Sequence, residues 1–299
     1  MPDPDLVTPE LLRGWRLPDP GTSKKSRGQV VVVGGARRTP GGVVLAGLSA
    51  LRVGAGHLQL ALAESAAPAV AATFPEAGVL GLGENPDGAV LGREAALACA
   101  PMLSGADVVL VGPGLDDPDE ALALVETLLA DDRDDDDGGD EGSLGDETTL
   151  VLDAFALGVL PAVRERVAER GDRVVLTPNG DELGRLLERD CEPSLADVLD
   201  AAERYSCCVA AQGMVADSHG RSWRVPLGHA GLATAGSGDV LAGTIAGLAA
   251  RGATPAQAAC WGTYLHSMAG ERLASAVGDV GFLARELVDQ LPAILSELS

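Results

Sequence analysis

Lysine is almost missing from this 299-residue chain: only Lys24 and Lys25 occur, and 44 acidic residues against 22 basic ones leave a net charge of −22. Nucleic acid is thereby excluded as a partner, because gripping a phosphate backbone takes clustered lysine and arginine. No stretch of 18 uninterrupted apolar positions occurs, although 46% of the residues are apolar, so no segment reads as a membrane-spanning helix. The start, Met1-Pro2-Asp3-Pro4-Asp5, lacks the basic-then-apolar order of a secretory signal, and the expected location is the cytoplasm. The five cysteines show no CxxC spacing, which gives no sign of a zinc site. Adjacent Cys207 and Cys208 lie in an apolar run and read as buried, reduced thiols, so neither a disulfide nor a structural metal is expected.

What the chain has instead is acid. An excess of carboxylates with almost no lysine resembles the surface of proteins from salt-accumulating, halophilic organisms, where high ionic strength screens self-repulsion. Residues 131–147 alone hold ten carboxylates and four glycines with no aromatic residue, yet the remainder is still acidic. That segment reads as a solvated acidic insertion loop without a catalytic role. The whole length can bury a full α/β core, and a single domain over residues 1–299 is expected.

Residues 29–33 are a β-branched run ending in Gly34-Gly35, and residues 42–53 then carry small and apolar side chains at helical spacing. Strand, glycine turn and helix follow in that order. Further strand-like runs lie at 57–62, 108–111, 150–152, 174–176 and 207–211, most with a helix-like stretch behind them. Such alternation predicts an α/β fold with a mostly parallel sheet covered by helices on both faces. Residues 214–225, with His219-Gly220 in the middle, read as a hairpin, and helices are expected at about 240–251, 255–276 and 283–297. The second of these is apolar enough either to join copies of the chain or to pack inside one subunit.

In parallel α/β sheets ligands bind outside the carboxyl ends of the strands, which directs attention to four turns. Gly34-Gly35 through Pro40-Gly41-Gly42 and Gly112-Pro113-Gly114 either let a backbone approach a ligand or serve as ordinary turns. Thr177-Pro178-Asn179-Gly180-Asp181-Glu182 can stop a strand and cap a helix, with Asp181 and Glu182 in its first turn. Gly236-Ser237-Gly238-Asp239 differs in kind. A Gly-x-Gly turn opening onto a helix leaves several N–H groups aimed at one spot, where phosphate or a developing oxyanion would bind. Asp239 is then either an N-terminal cap or a catalytic base. Small residues at Ala242, Gly243, Ala246 and Gly247 let the helix sit close to a neighbour and hold the turn rigid.

The stretch GLATAGSGDVLAGTIAGLAARG at 231–252, with GPGL at 112–115, LVLDA at 150–154, LTP-x-x-x-E-L at 176–183 and the ending 281–298, resembles a known family. It is similar to the ADP- or ATP-dependent NAD(P)H-hydrate dehydratases of the ribokinase-like superfamily, from about residue 23 to 298 apart from the acidic insertion. GxGD alone marks only the superfamily. The resemblance implies a ribokinase-like fold and repair of hydrated NADH and NADPH: the nucleotide phosphorylates the hydrate's hydroxyl, and phosphate then leaves. It makes Asp239 the base and Gly236, Ser237 and Gly238 the anion site for the transferred phosphate, with Gly238 also touching the adenine nucleotide. Gly42, Gly112, Gly114 and Asn179, with Asp239, fall at positions beside the hydrate. Gln212, Gly213, Met214, Val215 and Ala216 fall at the nucleotide. Mg²⁺ is implied as cofactor, ADP or ATP as co-substrate, and a symmetric homo-oligomer as the assembly.

Two positions depart from the family pattern. Asn179 stands where LTPH has histidine, and Gln212 where a lysine precedes glycine; asparagine still hydrogen-bonds but carries no imidazole charge, and glutamine keeps donors without the cation. The intact GSGD turn favours an active enzyme. A small-molecule kinase of the same superfamily and a catalytically silent nucleotide-binding protein are the alternatives. Longer family members carry an epimerase domain ahead of this one, for which 299 residues leave no room, so a separate epimerase protein is expected to supply that activity.

Overall fold

Val30, Val31, Val32 and Val33 are all fully buried, which a strand achieves only when both faces of its sheet are covered. The computed structural model describes residues 3–130 and 142–298. In chain order these form β1 (Asp5–Leu6), α1 (Pro9–Gly14), β2 (Gln29–Val33), α2 (Gly41–Arg52), β3 (His57–Ala63), α3 (Ala67–Thr73), β4 (Gly78–Leu82), α4 (Gly92–Leu103), β5 (Val108–Val111) and α5 (Pro118–Leu128). After residue 141 come β6 (Thr149–Leu152), a 3₁₀ segment (Ala154–Val163), α6 (Arg164–Arg170), β7 (Val174–Leu176), α7 (Gly180–Leu187), α8 (Leu195–Arg204) and β8 (Cys208–Ala211). The chain ends with β9 (Met214–Ala216), β10 (Ser222–Arg224), α9 (Ser237–Ala250), α10 (Pro255–Ala276) and α11 (Ala284–Leu298).

The sheet order is β1-β10-β9-β8-β7-β6-β5-β2-β3-β4. Strands β2 to β8 run parallel, while β9 is antiparallel to both β8 and β10. The strand pleat sorts side chains into two cores. Val30 and Val32 face α2, α9, α10 and α11, whereas Val31 and Val33 face α4, α5, α7 and α8. The α/β expectation is met. Sequence reading passes over β1, which is two residues long, and β4, a half-exposed edge strand with glycines at Gly78 and Gly81.

Every residue of α10 from Ala256 to Ser267 is buried, so its apolar character is used inside the subunit, against α9, α11 and β8. The acidic insertion needs a correction. Residues 131–141 lie outside the described residues, but 142–147 is not a free loop. Leu144 is buried in the second core and its N–H donates to Leu128 O at 3.1 Å. Arg170 donates to the carbonyls of Leu144, Gly145 and Thr148, and Arg173 to that of Glu147. One leucine among carboxylates is enough to bring the backbone back, because burying it returns about 1.5–3 kcal/mol.

Candidate active site

Asp153 and Thr177 directly follow the neighbouring strands β6 and β7, and the GSGD turn meets them at the same end of the sheet. Between them opens a cavity of about 410 Å³ lined by Asp153, Thr177, Asn179, Glu182 and residues 236–239 among others. Among the described residues three carboxylates line it and no lysine, arginine or histidine does.

Two helices hold the turn. In α9, a Cβ placed on Gly243 would lie 2.0 Å from Ala46 O, and one on Gly247 2.5 Å from Ala50 O, so α9 and α2 touch backbone to backbone. That contact brings the first turn of α2 to the cavity, where a Cβ on Gly42 would lie 3.2 Å from Asp239 Oδ1 and 3.1 Å from Gly114 N. Gly236 enters α9 at φ 88°, a left-handed conformation that glycine adopts without steric cost. No side chain caps α9, and the N–H groups of Gly238 and Asp239 have no protein acceptor among the described residues. The capping alternative for Asp239 therefore fails. Its carboxylate faces the cavity while the first-turn donors remain open for an anion.

The carboxylates sit at high potential energy. Burial pushes the Asp239 carboxyl up to about 6, with the charge of Glu182 adding to it. Asp153, buried, is raised to about 7 by desolvation and then by Asp239, against a 2.7 Å hydrogen bond donated by the Thr177 hydroxyl. Glu182 is likewise raised to about 7, mainly by burial. Behind the turn, His266 Nε2 lies 2.9 Å from Ser237 Oγ, and burial lowers the imidazole to about 4, which keeps it neutral.

Asn179 is the N-cap of α7 in a reciprocal capping box: its Oδ1 accepts from Glu182 N at 2.9 Å, and Glu182 Oε2 accepts from Asn179 N at 2.8 Å. Capping is thus real, and it leaves the Asn179 side-chain amide N–H groups free to donate. The GPG turn is structural as well as close to the cavity. Gly112 stands at φ 124°, and a Cβ there would meet Asp153 O at 1.8 Å. Pro113 O and Gly114 O accept from Gly35 N and Ala36 N, joining the two glycine turns that the sequence shows separately.

At the β8–β9 tip, Gln212 and Gly213 adopt φ 49° and 78°, and a Cβ on Gly180 would lie 3.0 Å from Gln212 Nε2. That places Gln212 beside the residue following Asn179. Val215 and Ala216, expected at the nucleotide, are instead fully buried, one in each core, in a strand paired on both edges. Their side chains reach no cavity, because a central strand exposes neither face. Sequence reasoning gave no site role to Asp153, Glu182 or His266. The first two stand inside the quoted motifs LVLDA and LTP-x-x-x-E-L, which was the available signal.

Comparison with known proteins follows the same lines. A family model described as NAD(P)H-hydrate dehydratase matches residues 30–293. An ADP-dependent (S)-NAD(P)H-hydrate dehydratase of Xanthomonas campestris is 43% identical, over 98% of this chain and 96% of its own length. A bifunctional NAD(P)H-hydrate repair enzyme of Moorella thermoacetica is 34% identical over 91% of this chain, which spans about half (50%) of that longer protein. In structure, an ADP/ATP-dependent NAD(P)H-hydrate dehydratase of Bacillus subtilis, co-crystallized with ATP/Mg²⁺, superposes over 100% of both chains with a TM-score of 0.76 at 24% identity. The fold is therefore ribokinase-like. With a family match running from β2 into α11 and 43% identity along almost its full length, the chain belongs to the NAD(P)H-hydrate dehydratase family.

Proposed function

We propose that the protein repairs hydrated NADH and NADPH, using ADP or ATP as phosphoryl donor. The observation that carries this reading is Asp239: a carboxylate raised to about 6, uncapped, beside open N–H donors at the start of a 14-residue helix. A base with a pKa near the working pH is effective at taking a hydroxyl proton. In this scheme Asp239 accepts the proton of the hydrate's hydroxyl while that oxygen bonds to the terminal phosphorus of the nucleotide. The bond from that phosphorus to the bridging oxygen breaks, releasing AMP from ADP or ADP from ATP. The ester then leaves as phosphate with loss of a ring proton, and the reduced nicotinamide is restored. The open N–H groups of Gly238 and Asp239 stabilise the moving phosphoryl group, since such transfer is mainly positioning and charge stabilisation, while the Ser237 N–H is held by Thr234 O at 3.1 Å.

Gly42, Gly112, Gly114 and Asn179 frame the hydrate, and Gln212, Gly213 and Met214 the nucleotide. Among the described residues no group of three His, Cys, Asp or Glu side chains stands close enough to cage a metal ion. Yet Asp153, Glu182 and Asp239 are hard oxygen donors that repel one another with no basic side chain in the cavity lining, a set that suits Mg²⁺ shared with nucleotide phosphates. Bound there, Mg²⁺ would neutralise phosphate charge.

The test is incubation with hydrated NADH, Mg²⁺ and ADP or ATP in turn, at molar salt. Return of the reduced-nicotinamide absorbance with stoichiometric phosphate is the expected result. A stable phosphorylated product would make the protein a kinase, and nucleotide binding without turnover would make it a silent homologue. Because Asp239 acts only when deprotonated, kcat/KM should rise with pH through about 6.

A further inference from the structure

Beside the catalytic cavity lies a second one, also of about 410 Å³, lined by Leu115, Phe155, Val159 and Arg185 among others. The two share Ala154 and Glu182 in their walls and are therefore contiguous. Ala154 takes φ 50°, a left-handed conformation uncommon for a side chain with a Cβ. That turn separates Asp153, which lines the catalytic cavity, from Phe155, which lines the second. Phe155 is 37% exposed and, among the described residues, is the only aromatic in the exposed large apolar set, in a chain with eight aromatics. The fold gains little from an open phenyl ring at this position, whereas a planar ligand would.

We infer that the second cavity holds the adenosine-bearing half of the hydrated dinucleotide, with Phe155 as the face on which its base stacks; the inference rests on the reaction proposed above. Pockets for drug-sized ligands span about 300–1,000 Å³, and a dinucleotide is larger than such ligands, so 410 Å³ shared with the phosphates of a second nucleotide leaves it short of room. Sheet order puts the two sides of the site on different strands. The Gln212 tip follows β8 on one side of β6 and β7, while Leu115 follows β5 on the other. With Gln212 at the nucleotide, as proposed above, the phosphoryl donor comes from the β8 side and leaves the β5 side, where the GPG turn lies, to the substrate. Arg185 supplies a cation in the second cavity's lining, suited to the diphosphate that links the two halves.

The experiment compares wild type, Phe155→Ala and Phe155→Tyr with hydrated NADH, and with the hydrate of reduced nicotinamide mononucleotide, which lacks adenosine. Phe155→Ala should raise KM for the dinucleotide about 10-fold, the scale of losing one base–aromatic stack, with kcat unchanged. KM for ADP and the constant for the mononucleotide, as substrate or competitor, should stay at the wild-type values, and Phe155→Tyr should behave as wild type. An unchanged KM for the dinucleotide, or equal losses on both hydrates, would overturn the inference while leaving the reaction in place. A wild-type protein that dehydrates neither hydrate overturns the proposed function itself, and the inference with it.

Discussion

Asp239 accepts no hydrogen bond from its own helix, so replacing it tests chemistry with little interference from folding. Asp239→Asn keeps the side chain's shape but removes the proton acceptor, and turnover should fall by at least ~10²-fold. Melting temperature should hold or rise, since a carboxylate raised to about 6 is costly to ionise in the fold. A variant with the wild-type rate would remove Asp239 from the role of base. Asp153 allows a separate test of the same electrostatics. Its folded pKa, about 7, lies above the model-compound value of 3.8, so the folded state binds its proton more tightly. The stabilisation is complete below about 4 and is lost as pH rises through about 7. Asp153→Asn, which still accepts the Thr177 hydroxyl, should match wild type near pH 4 and exceed it at pH 8 by at least ~1 kcal/mol, or about 2–4 °C. Equal melting temperatures at pH 8 would show that the buried charge is compensated. Asp239 could be read from sequence because its turn is local. Asp153 and Glu182 stand in motifs visible in the sequence, but their meeting with Asp239 could not be read there, because only the adjacency of β6 and β7 brings them together.

Helices α2 and α9 are far apart in sequence and in contact along their length. The small residues of α9 signal a close approach in the sequence, but not the partner, since any helix face could have filled that role. The structure names Ala46 and Ala50. Gly243→Ala should gain up to about 1 kcal/mol in helix propensity, yet its Cβ would meet Ala46 O at 2.0 Å, and a backbone atom in a packed helix yields only by moving the whole element. Overpacking of this kind costs about 1–3 kcal/mol, so the variant should melt a few degrees lower. It should also lose activity, because α9 carries Asp239 and α2 carries Gly42. A Gly243→Ala enzyme with unchanged melting temperature and rate would mean that the two helices slide apart freely. Strands such as β2, β5, β6 and β7 were legible because strands covered on both faces read as unbroken apolar runs. Edge strands β1 and β4 lack that signature, and the 3₁₀ segment Ala154–Val163 owes its shape to packing against α5 and α7. Val215 and Ala216 show the opposite error: a motif carried along the chain assigned contact to residues that β9 turns into the core.

Charge belongs to the whole molecule. We propose one domain built on a single sheet, with an acidic surface adapted to salt. The segment 131–147 contributes ten carboxylates and one arginine to the −22, so most of the excess lies elsewhere in the chain. Among the described residues, arginine pairs such as Arg52 with Asp289 and Arg189 with Asp200 are largely exposed and individually worth little. Net self-repulsion therefore destabilises the compact state at low ionic strength, where the Debye length of about 10 Å at 0.1 M spans several neighbouring charges. At 1 M it shrinks to about 3 Å, and the repulsion between surface carboxylates is mostly gone. Melting temperature should accordingly climb by roughly 5 °C or more between 0.1 and 1 M KCl, on the scale of about 2 kcal/mol, and then flatten. Flattening separates screening from preferential exclusion by a kosmotropic salt, which keeps increasing with concentration. Sulfate should therefore continue to stabilise where chloride has stopped. A melting temperature that is flat or falling in KCl from 0.1 to 1 M would show that the carboxylates are already compensated within the fold, and the salt adaptation proposed from composition would have to be abandoned.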